Sequence, residues 1–147
     1  MKNFLKYFLL YILIYFIVDF TTGFNSDIRY WISVNGPILG LIVYTLSGLL
    51  FYYIIYKKEL KERTIFLVAL AYGLLLEILF FKNPLVTTFP ALIGGIPLTA
   101  DIYGLIVLLP KWIVNKELKK HKILAIVMIA IWLFLAILAF FNNPHKI

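Results

Sequence analysis

The chain has 147 residues, of which 63% are hydrophobic, 18% aromatic and only 14% charged, with a formal net charge of +7. A soluble domain carries about 45–50% apolar and about 25% charged residues, and so small a chain cannot hide the excess in a core, because much of its surface stays in water. At a mean hydropathy of +0.97 the composition excludes a soluble enzyme, a disordered tail and a disulfide scaffold, and points to an integral membrane protein. With no cysteine there is no disulfide, thiol nucleophile, thiolate zinc site or iron–sulfur cluster. His121 and His145 lie outside any apolar run, which excludes a haem held between two membrane histidines. No cofactor is expected. Nucleic acid is not an expected partner either, since no soluble domain presents a basic face.

Five apolar stretches approach or reach the roughly 20 residues needed to cross the hydrocarbon core: 4–24, 37–56, 64–81, 97–114 and 123–141. Lys2 and Lys6 precede the first. It is longer than the apolar region of a signal peptide and lacks a small-residue cleavage site, so it reads as an uncleaved helix. Pro37 opens the second, at a position where its missing N–H costs nothing. Between the third and fourth, Leu85 to Ile96 is apolar but broken by Pro90, Gly94 and Gly95, and reads as a loop or a short half-inserted helix. The fourth span then starts near Pro97, and Pro110 kinks or ends it. With no repeat, linker or second domain, residues 1–147 form a single polytopic transmembrane domain, an all-α bundle of five transmembrane helices.

Basic residues set the orientation. With the N-terminus inside, the inner side holds Lys2, Lys6, Lys57, Lys58, Lys61, Arg63, Lys111, Lys116, Lys119, Lys120 and Lys122, and the outer side only Arg29, Lys82 and Lys146. Dropping the fourth crossing would move Lys116 to Lys122 outside and spoil the contrast. Five spans in the cell membrane, N-terminus inside and C-terminus outside, follow. Lys57, Lys58, Lys116, Lys119, Lys120 and Lys122 then face anionic lipid headgroups.

The acids divide in two. Glu59, Glu62 and Glu117 sit among inner lysines and read as solvated charges, and Asp27 lies in the first outer loop. Asp19, Glu77 and Asp101 fall inside three different spans, each on the order of 5–8 Å below the outer boundary at 1.5 Å of rise per residue. A carboxylate at mid-helix costs about 2.5–3.5 kcal/mol on insertion scales and less near the interface. Three at one level suggest a shared polar pocket, and these acids are the candidate catalytic or ion-binding residues.

Their surroundings support that expectation. Tyr7, Tyr11, Tyr15 and Asp19 recur every four residues on one stripe of the first span, where Tyr11 and Tyr15 can donate to carboxylates. Lys82 follows Glu77 closely enough to pair with it, and Asp101 could instead cap the start of the fourth span. Ala69, Gly73 and Glu77 repeat the same spacing on the third span, and Gly36 and Gly40 form a GxxxG on the second. Such small residues let helices approach closely and are candidates for self-association or for contact with other membrane subunits.

Motifs for prenyl-diphosphate magnesium sites, zinc proteases and serine hydrolases are missing from the sequence. What remains is three carboxylates with tyrosine, serine and threonine, a set suited to acid–base chemistry or cation binding. Glu77, followed by Gly95-Ile96-Pro97-Leu98 and Asp101, resembles the helix–loop–helix of membrane lycopene cyclases and related carotenoid hydratases, which pair a membrane acid with a Pro-Leu helix start. The adjacent acidic pair of that family is replaced here by Thr99 and Ala100, and the resemblance is confined to residues 77–101. It implies proton-driven chemistry on an isoprenoid lipid. Three functions are therefore in play: a non-catalytic subunit or scaffold of a larger membrane complex, a membrane enzyme acting on a lipid or isoprenoid near the outer leaflet, and a cation or proton transport element.

Overall fold

Long apolar runs removed from water can satisfy their backbone by bonding within the segment, as a helix does. The computed structural model is accordingly all-helical over the residues it describes, 2–22, 35–79 and 84–141. The helices are α1 (Lys2–Thr22), α2 (Asn35–Tyr56), α3 (Glu62–Leu79), the single turn α4 (Pro84–Thr87), α5 (Leu92–Val114) and α6 (Lys122–Phe141). Three stretches are long and apolar enough to cross a membrane: Asn3–Thr21, Ile38–Tyr56 and Leu92–Val114. α6 is apolar over Lys122–Leu138, whereas α3 carries Glu62, Arg63 and Glu77.

The fourth apolar region departs from its sequence reading. α5 begins at Leu92, not near Pro97, and both Pro97 and Pro110 lie inside it. The physical reason is local. The opening amides of α5 find acceptors in the turn before it, Leu92 N–H on the Thr88 carbonyl (2.9 Å), Ile93 N–H on Pro90 (3.1 Å) and Gly95 N–H on Ala91 (2.9 Å). The helix therefore starts ahead of the glycines, and each proline removes one internal hydrogen bond without ending it. Only α4 and the turn after it remain of the expected loop.

α5 is the axis of the bundle, with 12 of its 23 residues buried, Tyr103 to Leu108 consecutively. It packs against α3, α1, α6 and α4, while α2 is held mainly by α1. Two glycines set the closeness of this packing. A Cβ on Gly73 would lie 2.3–2.8 Å from the Tyr103 ring, and one on Gly104 would lie 2.7 Å from Phe66 and 2.9 Å from Met128. The small-residue face of α3, with Ala69 and Gly73 buried, is thus filled from within the chain by α5. Gly36 lies in the first turn of α2, and Gly40 sits under the hydroxyl of Tyr44 on its own helix. Large apolar side chains on the outside, among them Leu9, Leu46, Leu67, Ile126 and Phe134, are exposed all round the bundle.

Candidate functional site

The four-residue stripe on α1 turns its hydroxyls into the core. Tyr7, Tyr11 and Tyr15 are buried, and Asp19 continues the stripe half-buried. From α2, the Tyr44 hydroxyl donates to Asp19 Oδ2, and Tyr11 donates to Ser47 Oγ at 2.9 Å. From α5, the Tyr103 hydroxyl donates to Glu77 Oε1 on α3 at 3.2 Å. The Tyr15 ring lies 4.4 Å from that of Tyr44 and edge-on to that of Tyr103 at 6.3 Å, and Tyr72 closes the group 5.8 Å from Tyr103. Asp19 and Glu77 are near enough to act on one another electrostatically, and both act on Tyr103. A carboxylate–phenol network thus links α1, α2, α3 and α5.

Asp101 stands apart from this network. It lies ten residues into α5, too late to cap the first turn, and about 200° around the helix from Tyr103. One turn further on the same stripe, Leu105 lines an apolar cavity of about 150 Å3 with Val18 of α1 and Trp132 of α6. Asp101 Oδ2 is buried with no hydrogen-bond partner among the described residues. The structure therefore brings together Asp19 and Glu77 with Tyr11 and Tyr15 nearby, and directs Asp101 elsewhere. Lys82 lies outside the described residues.

A second polar group lies where α2 ends and α3 begins, beside the α5–α6 connection. α5 closes in a Schellman turn: Lys116 adopts φ 60° and donates to the Ile113 carbonyl (3.2 Å), and Glu117 N–H bonds Trp112 (2.8 Å). The turn folds Glu117 back over the last coil of α5, where its Oε2 meets Lys111 Nζ at 2.8 Å. Lys111 also reaches Glu62 Oε1 of α3 at 2.6 Å, and the Trp112 indole donates to the same oxygen at 3.0 Å. His121 stacks on Trp112, with centroids 4.7 Å apart, and its Nε2 lies 3.5 Å from Glu62 Oε2. Burial raises the Glu62 pKa, but hydrogen bonds from Lys111 and Trp112 and the charges of Lys111 and His121 outweigh it and hold the group below its ordinary value.

Glu62 and Glu117 are therefore not the free solvated charges that their lysine-rich surroundings suggest. Both are committed to Lys111, whose side chain is only 11% exposed. One signal was available: Lys111 stands in a helical apolar run and needs an acid from its own end of the bundle, where the sequence offers only Glu59, Glu62 and Glu117. Ligand atoms of Glu62, Glu117 and His121 lie within 4.8 Å of one another, a spacing that could suit a metal ion. The Lys111 ammonium already rests on both carboxylates, so a cation could enter only by displacing it.

Comparisons with protein-family models, with curated proteins and with solved structures return no match to this chain.

Proposed function

We propose that the chain is a multi-pass protein of the cell membrane, five spans with the N-terminus inside and the C-terminus outside, and that it serves as a non-catalytic subunit or scaffold of a larger membrane complex. The observation that carries this reading is the use made of its half-buried acids, Asp19 and Glu77. Asp19 takes its hydrogen bond from Tyr44 and Glu77 from Tyr103, so each joins two helices. Neither described cavity is lined by Asp19, Glu77 or Asp101. Enzymatic work on a lipid by all three acids would need them on one cleft, and the direction of Asp101 gives that reading least support. Proton or cation transport is the second reading, favoured by the run of buried hydroxyls from Glu77 and Tyr103 towards Tyr11 and Ser47.

Because the sequence has no cysteine, single-cysteine labelling gives a clean topology map. Cysteines placed at Lys58 and Lys119 should resist an impermeant maleimide applied from outside, and those at Arg29 and Lys146 should react. The reverse pattern overturns the orientation. In mild-detergent extracts the protein should migrate on native gels well above its 17.1 kDa. The Asp19→Asn, Glu77→Gln double variant should leave that size unchanged, since an amide oxygen still accepts the phenol hydrogen bonds. Liposomes holding the pure protein should keep an imposed pH gradient. Decay that this double variant abolishes would replace the scaffold reading with the transport one.

A further inference from the structure

The Schellman turn that returns Glu117 to Lys111 leaves an imbalance beyond it. An open cavity of about 410 Å3 is lined by the polar residues Lys119, Lys120, His121 and Lys122 together with the apolar Ile123, Leu124 and Val127. That volume falls within the about 300–1,000 Å3 typical of ligand sites. All three lysines are exposed and have no acid partner among the described residues, the neighbouring Glu62 and Glu117 being held by Lys111. The cavity also lies at the N-terminus of the 20-residue α6. There the amides of Lys122, Ile123 and Leu124 have no acceptor within the helix, an arrangement that favours an anion. The apolar wall is open, with Ile123 80% exposed. Cationic and alkyl side chains thus meet at one helix start.

We propose that this cavity seats the headgroup of one anionic glycerophospholipid, its phosphate among Lys119, Lys120, Lys122 and the first amides of α6, with an acyl chain running along Leu124 and Val127. Charge complementarity selects an anionic lipid over a zwitterionic one, and the apolar wall selects a lipid over a free phosphate ester. The site rests on the membrane reading above, but on neither the scaffold role nor the orientation.

The test uses the full chain in neutral detergent, titrated with phosphatidylglycerol, with phosphatidylcholine or with soluble glycerol phosphate, and counts bound molecules by native mass spectrometry. One phosphatidylglycerol per chain should be retained in preference to phosphatidylcholine, and glycerol phosphate should not be retained. Replacing Lys119, Lys120 and Lys122 together by glutamine should weaken retention by about tenfold or more, each lysine near anionic lipid contributing appreciably. The same change at Lys57, Lys58 and Lys61 should not. Val127→Trp, which fills the apolar wall without altering charge, should also weaken it. Equal retention of both lipids, equal losses from the two lysine triplets, or capture of glycerol phosphate as firmly as of lipid would each overturn the proposal. A failed topology map with phosphatidylglycerol still selectively held would overturn the orientation alone.

Discussion

The packing of α3 on α5 rests on the missing side chain of Gly73, and Gly73→Ala tests it. The added methyl would lie 2.3 Å from Tyr103 Cδ2 and 2.5 Å from Cγ, where ordinary contact is 3.4–4 Å. Cγ moves only if Tyr103 changes its χ1 rotamer, so the two helices must part by about 1 Å or the ring must leave Glu77. Overpacking of this kind costs about 1–3 kcal/mol, offset by the 0.5–1 kcal/mol or so that alanine gains over glycine inside a helix. A net loss of about 1–2 kcal/mol follows. Gly94→Ala is the control, because a Cβ there has nothing within 4 Å and should gain up to about 1 kcal/mol. Thermal unfolding in detergent, followed by circular dichroism, should shift the two variants in opposite directions, at about 2–4 °C per kcal/mol. In a Tyr103→Ala background the Gly73→Ala penalty should vanish. If Gly73→Ala is as stable as Gly94→Ala, or costs the same without the Tyr103 ring, the close approach of α3 to α5 is wrong.

Three further outcomes concern the Lys111 group. The Glu62 pKa is lowered by folding, so the stability it contributes is present above the ordinary glutamate value and disappears as pH falls through the folded one. Melting temperatures from pH 7 to pH 3 should therefore fall below about pH 4.5, and Glu62→Gln should flatten that decline. Lys111→Met leaves two carboxylates without their cation. Breaking a buried pair costs about 3–5 kcal/mol, but Glu62 and Glu117 are 35% and 37% exposed and rehydrate, so about 1–2 kcal/mol is expected in the same melts, with part recovered by adding Glu62→Gln. Lys116→Gly places glycine at the φ of 60° that an L-residue adopts at some cost. It should be neutral or up to about 1 kcal/mol stabilising, and a clear loss would argue against the Schellman turn.

Much of the bundle could be read from the sequence because one-dimensional patterns determine it. Hydropathy marks the apolar helices, and the spacing of Tyr7, Tyr11, Tyr15 and Asp19 marks the buried face of α1, as Ala69 and Gly73 mark that of α3. The start of α5 was not readable, because it depends on carbonyls of Thr88, Pro90 and Ala91 being presented to its first amides, a property of turn geometry. The direction of Asp101 was hidden for a different reason. Depth along a span follows from counting residues, whereas rotation about the helix depends on which neighbour fills which face. Tyr103, fixed against Gly73, places Asp101 on the side of Leu105.

The Lys111 group was the least legible because its members come from two helices and the α5–α6 connection, with Lys111 and Glu62 49 positions apart in sequence. Its consequence reaches beyond stability. Counting basic residues treats each as an equal voice in orientation, yet Lys111 is neutralised inside the protein and cannot meet a headgroup. The two acids nearest to Lys119, Lys120 and Lys122 are both held on Lys111. The single left-handed residue Lys116 thus folds Glu117 out of its lysine-rich connection and onto Lys111. If Glu117→Gln released its share of Lys111 without strengthening phosphatidylglycerol retention, the cavity's affinity would belong to the three lysines themselves. Stronger retention in that variant would show that Glu117 still repels the phosphate across the turn.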